Sequence, residues 1–146
     1  MRIVLQVASR ASVTVGERGT GEITGPGLVA LVGVTHSDTP EIAAQLAAKI
    51  AGLRIMPGEV SVSDLTERGE STGVLVVSQF TLYGDVRKGR RPSWGQAAPG
   101  DVAEPLVDAL ADALVASGIA VETGRFGADM KVALTNDGPF TVIIDV

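Results

Sequence analysis

Apolar residues along the chain gather into short runs of Val, Leu and Ile divided by glycine-rich or polar stretches, which is the pattern of strands. The runs Ile3–Val7, Ser12–Val15, Leu28–Val34, Val74–Val77, Ile119–Glu122, Met130–Leu134 and Thr141–Val146 each predict a strand. Leu28–Val34 (LVALVGV) and Val74–Val77 (VLVV) are apolar at consecutive positions, so neither face of these strands tolerates water and the sheet is covered on both sides. Two segments carry a helical period instead. In the first, Ile42, Leu46, Ile50 and Leu53 recur at spacings of four, four and three, behind Thr39 as N-cap and Pro40 in the first helical position. In the second, Leu106, Leu110 and Leu114 form the stripe, Asp101 and Glu104 resemble a capping box, Pro105 falls in the first turn, and Gly118 closes the end. Two amphipathic helices among about seven strands, with no regular β-α alternation, predict an α/β protein. The expected form is a single domain over residues 1–146, with a mixed β-sheet or barrel-like core and two helices laid on it. Loops are expected at Gly16–Gly21, Met56–Gly73 and Gly84–Gly100, and the glycine clusters Gly16–Gly21 and Gly25-Pro26-Gly27 read as hairpin turns.

Composition narrows the chemistry. The chain has no cysteine and one histidine, His36, which excludes disulfides, thiolate catalysis, cysteine-based zinc sites and multi-histidine metal sites. No metal or cofactor is expected, and a reducing cytoplasm suits the sequence. A formal charge of −5 excludes a basic coat for nonspecific binding of DNA or RNA, so any nucleic-acid contact is local. With aromatics at 3%, a base-stacking platform is not expected. The apolar run at the N-terminus breaks at Gln6, far short of the ~18 residues of a membrane span, and no signal-peptide pattern follows.

Three segments carry candidate chemistry. The strand Val74–Val77 runs into Ser78-Gln79-Phe80-Thr81-Leu82, a change to hydroxyl, amide and aromatic residues at a strand end, where α/β sheets hold ligands. Ser78 and Thr81 are possible nucleophiles or donors and Gln79 a polarising amide, but the sequence supplies no neighbouring base to activate a hydroxyl. Strand-end groups that merely bond the backbone are the bland alternative. Arg87-Lys88-Gly89-Arg90-Arg91 sets four of the twelve basic residues in five positions, either a phosphate grip or an ordinary solvated loop. Asn136-Asp137-Gly138-Pro139-Phe140-Thr141 lies between two apolar strands and reads as a turn. His36, just before a helix, reads as a capping or loop residue.

Taken together, the whole chain resembles the D-aminoacyl-tRNA deacylases, proofreading hydrolases that free tRNA from D-amino acids. Four segments in order carry the resemblance: Ser78 to Asp85, Arg90-Arg91-Pro92-Ser93-Trp94, Thr123 to Met130, and Asn136 to Thr141. Gly25-Pro26-Gly27-Leu28 and Gly33-Val34-Thr35-His36 are also similar to the family's N-terminal part. The resemblance implies a homodimer with active sites at the interface, each joining the Ser78-Gln79-Phe80-Thr81 segment of one subunit to a cis Gly138-Pro139 pair of the other. On this expectation the pair performs chiral selection and Met130 lines the pocket. Gln79 and Phe80 hold the terminal adenosine or the oxyanion, Thr81 orients the ester, and Arg87, Lys88, Arg90 and Arg91, with Arg125, face tRNA phosphates. Catalysis is expected to enlist the substrate's 2′-hydroxyl, and glycyl-tRNA becomes a second substrate. Departures from the family pattern are Val7 where an arginine usually supports the Gly-Pro pair, Phe140 in place of valine, and a short Met56–Gly73 loop lacking a Lys-Met-Asn element. An editing enzyme of relaxed chirality and a noncatalytic tRNA-binding module are the competing readings.

Overall fold

A computed structural model of the chain describes residues 1–138 and 140–146 and, at Pro139, the backbone alone. In chain order the elements are β1 (Arg2–Val15), β2 (Arg18–Ile23), β3 (Gly27–Gly33), α1 (Pro40–Gly52), α2 (Val62–Glu67), β4 (Gly73–Ser78), a 3-10 turn (Phe80–Tyr83), α3 (Gly100–Ala116), β5 (Val121–Thr123) and β6 (Met130–Asp145). The strands form one six-stranded sheet in the order β2-β1-β3-β4-β5, with β6 along β1. β1 runs antiparallel to β2, β3 and β6, whereas β3-β4 and β4-β5 are parallel pairs joined by helical crossovers.

Period-two alternation sorts the strand residues into two cores. On one face Ile3, Leu5, Leu28, Ala30, Val74 and Val76 pack beneath Leu46 and Ile50 of α1 and Leu110 and Leu114 of α3. On the other, Ala11, Val13, Ile23, Val29, Leu75 and Val77 form a smaller core enclosed by strands. β3 and β4 are thus covered on both faces, as their unbroken apolar runs require. β1 serves both cores because its register against β6 slips between Gln6 and Arg10. That bulge turns Ala11 and Val13 to the face opposite Ile3 and Leu5. β2 then closes on β5: a Cβ at Gly21 would lie 2.6 Å from the Thr123 carbonyl oxygen, so only glycine lets the backbones meet and make the sheet barrel-like.

Several expectations change. Among the described residues there are three α-helices rather than two, because the stretch read as one loop, Met56–Gly73, contains α2. The capping box forms there and not in α3. The Asp64 amide donates to Ser61 Oγ at 3.0 Å and the Ser61 amide to Asp64 Oδ2 at 2.8 Å, which lowers the Asp64 pKa. α3 begins one residue ahead of Asp101, behind Pro99, with no side-chain cap; the Pro99 carbonyl accepts from the Val102 and Ala103 amides. Gly16–Gly21 is mostly strand, since β2 begins at Arg18. Gly25-Pro26 is a corner rather than a hairpin turn, because β2 and β3 pair separately with β1. Thr39 caps α1 as expected, accepting from the Ile42 amide. Among the described residues, no helix is long and apolar enough to cross a membrane.

Candidate active site

The site begins where the parallel strands end. β4 stops at Ser78, and Gln79 leaves the extended region with φ −146° and ψ 79°, turning the chain into the Phe80–Tyr83 3-10 turn. The Gln79 amide donates to the Val32 carbonyl at 2.7 Å, fixing the turn against β3. Gly33 allows that approach: a Cβ there would lie 3.1 Å from the Gln79 carbonyl oxygen, 3.1 Å from Leu82 Cβ and 3.2 Å from Tyr83 Cδ2. Burial, with Asp38 and Asp145 nearby, pushes the Tyr83 phenol up to about 12, so it stays neutral throughout the physiological range.

Beside the turn a pocket of about 610 Å³ opens. Its walls are Val32 and Val34 from the β3 end, Val77 from β4, Ala103 and Val107 from α3, and Val132 from β6. Ser78, Gln79, Phe80, Trp94, Phe126, Asp129 and Met130 also line it, and Asp129 is the one ionisable group among them. Phe80 and Trp94 meet edge to face with ring centroids 5.3 Å apart. The Trp94–Ala98 wall is latched to the segment after β3. Thr35 Oγ1 donates to the Gln96 carbonyl at 2.6 Å, the Ala98 amide to Val34 at 2.9 Å, and the His36 ring Nε2 to the Gly95 carbonyl at 2.9 Å. His36 is therefore a loop latch.

The structure gathers Ser78, Gln79, Phe80 and Met130 around the pocket but leaves Thr81 outside its lining. Thr81 is exposed, and its hydroxyl accepts a hydrogen bond from the Gln79 side-chain amide. Among the described residues no histidine, lysine or carboxylate bonds that hydroxyl, so nothing is placed to take its proton. The basic segment lies on a loop closed by reciprocal 2.9 Å backbone bonds between Asp85 and Ser93. Arg87 is exposed as well, but its guanidinium is engaged within the loop: it forks onto Asp85 at 2.9 and 2.6 Å and holds that carboxyl down at about 2. Lys88, Arg90 and Arg91 are exposed, and among the described residues none of them is in an ion pair.

The Asn136–Thr141 segment is not a hairpin turn. Both flanks pair with β1, Asn136 opposite Ala8 and Thr141 opposite Gln6, so the four residues from Asp137 to Phe140 bulge out of one continuous strand opposite Val7 alone. The Asn136 amide bridges the neck of this excursion, donating to the Val7 carbonyl at 2.8 Å and to Phe140 at 3.4 Å. Gly138 does not reach the pocket of its own chain, and the Pro139 side chain and the isomer of its bond lie outside the described residues. Sequence reasoning missed the pocket's walls. Ala103 and Val107, four apart on α3, were a legible signal, whereas Ala97 and Ala98 carried none.

A mixed parallel and antiparallel sheet with a largely apolar strand-end pocket, lined in part by the hydroxyl of Ser78 and the amide of Gln79, and a loop carrying three exposed cations outside any ion pair among the described residues define a small α/β protein with a ligand-sized cleft. Known proteins make the class specific. A family model described as D-Tyr-tRNA(Tyr) deacylase matches residues 4–145, and the chain belongs to that family. A protein of Kocuria rhizophila named D-aminoacyl-tRNA deacylase is 66% identical over 145 residues, covering 99% of this chain and 93% of that one. One of the same name from Streptomyces coelicolor is 59% identical and covered in full on both sides. Among solved structures, the c-Myc DNA Unwinding Element Binding Protein superposes with a TM-score of 0.87 at 34% identity, over 100% of this chain and 99% of that one. A structure titled "Structural Analysis of a probable eukaryotic D-amino acid tRNA deacylase" shares the fold, with a TM-score of 0.85 at 20% identity over 99% and 98% of the two chains.

Proposed function

We propose that the strand-end pocket receives the aminoacylated 3′ end of tRNA and that the enzyme, a carboxylic ester hydrolase, cleaves the ester of D-aminoacyl-tRNA to free tRNA and a D-amino acid. The observation that carries this reading is the pocket at Ser78-Gln79-Phe80, found in a chain of the deacylase family. Its volume and apolar walls suit a nucleoside-sized group, with polar contacts confined to the mouth.

The chemistry is positional. A Thr81 hydroxyl without a base is a poor nucleophile, so water attacks the ester with help from the 2′-hydroxyl of the terminal adenosine. The Gln79 and Thr81 side chains, held to each other, orient the ester region. Backbone N–H groups at the start of the 3-10 turn, which lack partners inside it, face the developing oxyanion. Lys88, Arg90, Arg91 and, in part, Arg87 meet acceptor-stem phosphates, with Arg125 as a further cation. Chiral selection falls to Gly138 and Pro139. Because Gly138 lies away from its own chain's pocket, that selection is supplied across a homodimer interface, with the Asp137–Phe140 excursion entering the partner's site. A filter that works by excluding a side chain passes glycine, so glycyl-tRNA is a second substrate. Such work belongs in the cytoplasm, where aminoacyl-tRNA is.

The test is deacylation of D-tyrosyl-tRNA beside L-tyrosyl-tRNA, with a D-substrate bearing a 2′-deoxy terminal adenosine as a third arm. The expected result is cleavage of the D-ester alone, lost with the deoxy substrate. Cleavage of both enantiomers identifies an editing enzyme of relaxed chirality, and saturable tRNA binding without cleavage identifies a binding module; either overturns the proposal.

A further inference from the structure

We propose that Arg2, eighty positions away in sequence, is a positioning residue that sets the mouth of the pocket by clamping the far end of the 3-10 turn. The inference rests on the reading above, in which Gln79 to Thr81 act on the ester.

The turn is four residues long, too short to hold its own shape, and has no side-chain cap. Its entry is pinned by the Gln79–Val32 backbone bond, and its underside lies on Gly33. Its exit is held by Arg2. The Arg2 Nη1 donates to the Leu82 carbonyl at 3.0 Å, an oxygen left free at the end of the turn, while the guanidinium lies 5.0 Å from the centre of the Tyr83 ring. The fork is itself held in place. Nε and Nη2 both donate to Asp145 Oδ2, at 3.1 and 2.7 Å, and Arg2 and Asp145 are cross-strand partners on β1 and β6. One planar cation thus joins the first strand, the last strand and the catalytic turn, which a lysine's single point charge does not do in fixed directions.

A merely structural role predicts something else. Arg2 and Asp145 are 36% and 50% exposed, and exposed ion pairs add little to stability. Losing the clamp should therefore leave the fold standing while the turn drifts. Trp94, the only tryptophan, packs against Phe80 and Gly84 and reports that drift independently of catalysis.

The experiment measures kcat and KM for D-tyrosyl-tRNA, the melting temperature, and acrylamide quenching of Trp94 in wild type, Arg2→Gln, Arg2→Lys and Asp145→Asn. Expected for Arg2→Gln is a kcat about tenfold lower with KM within about twofold, a melting temperature within about 3 °C of wild type, and stronger quenching. Arg2→Lys should recover part of the rate, and Asp145→Asn should lose less than Arg2→Gln because the Leu82 bond survives. Wild-type kcat and quenching in Arg2→Gln overturn the proposal. So does a rate that falls only in step with the folded fraction in both Arg2 variants. If wild type cleaves no aminoacyl-tRNA, the deacylase reading fails by itself, and quenching still decides whether Arg2 holds the turn: stronger in Arg2→Gln upholds the clamp, unchanged removes it.

Discussion

Gly33→Ala tests whether the turn's position, rather than any one side chain, governs the chemistry. The added methyl would meet the Gln79 carbonyl oxygen at 3.1 Å, Leu82 Cβ at 3.1 Å and Tyr83 Cδ2 at 3.2 Å. All three atoms belong to the turn or the residue leading into it, so the contacts push the same way and side-chain rotation relieves only part of the crowding. Restoring ordinary separations near 3.5 Å moves the turn by about 0.3–0.4 Å. The 2.7 Å Gln79–Val32 bond and the Arg2–Leu82 bond resist that movement. Overpacking of this kind costs about 1–3 kcal/mol, which in a domain of this size lowers the melting temperature by about 3–10 °C. If a 1 Å misplacement costs about a hundredfold in rate, a shift of a third of that costs about fivefold in kcat. Steady-state deacylation of D-tyrosyl-tRNA and a thermal melt read both numbers. Gly52→Ala is the control, because nothing lies within 4 Å of a Cβ there and the methyl should be neutral or stabilising. Wild-type kcat and melting temperature in Gly33→Ala would refute the reasoning.

Replacing Lys88, Arg90 and Arg91 together by alanine should raise KM for tRNA substrates with kcat unchanged. It should also flatten the slope of log affinity against log salt by about 2–3, one unit of roughly 0.7–0.9 per lost phosphate contact; an unchanged slope removes the loop from the tRNA interface. Thr81→Ala should keep activity within about tenfold of wild type, since a single orienting hydrogen bond is lost and not a nucleophile; complete loss with tRNA binding intact would restore Thr81 as a chemical group. The Asp85 carboxyl, held down at about 2 by Arg87 against an ordinary value of 3.8, should stay ionised in any working buffer. Because the folded value is depressed, the Asp85–Arg87 contribution is complete above about pH 4 and is lost as pH falls through about 2. Monitored by carboxyl NMR shifts, Asp85 should titrate near 2, below the ordinary aspartate value of 3.8, and a midpoint near 3.8 would contradict the fork seen between the two side chains.

The parts of the fold that were legible in the sequence are those where one local rule decides. Thr39 and Pro40 announce α1, and the doubly apolar runs of β3 and β4 announce strands covered on both faces. What was hidden depends on pairing. Arg18–Ile23 (RGTGEI) has almost no apolar alternation and becomes β2 because β1 supplies its hydrogen bonds and Gly21 lets it reach β5. The Asp101–Glu104 pattern had the right spacing for a capping box, but the helix starts at Gly100, so Asp101 lies inside the first turn. At the site, Ser78, Gln79, Phe80 and Met130 were named by residue type and resemblance and do line the pocket. Arg2 was not, because its value comes from a carbonyl and a ring eighty positions on.

The Asn136–Thr141 segment shows why pairing matters for function as well as fold. Asn-Asp-Gly-Pro between apolar runs satisfies every local criterion for a hairpin turn, yet β1 is long enough to pair with both flanks, so the segment is extruded sideways instead. The resemblance leads one to expect an arginine after Gln6 as the support for that excursion, and this sequence has Val7 there. Here Val7 is 1% exposed and packs in the larger core, so its side chain contributes nothing to the loop. What spans the neck is the Asn136 amide, bonded to the backbone carbonyls of Val7 and Phe140, groups that any residue at those two positions would offer. A brace made to main-chain oxygens does not depend on the identity of residue 7, so a valine there leaves both bonds across the neck, and with them the pairing of β1 and β6 on either side, in place.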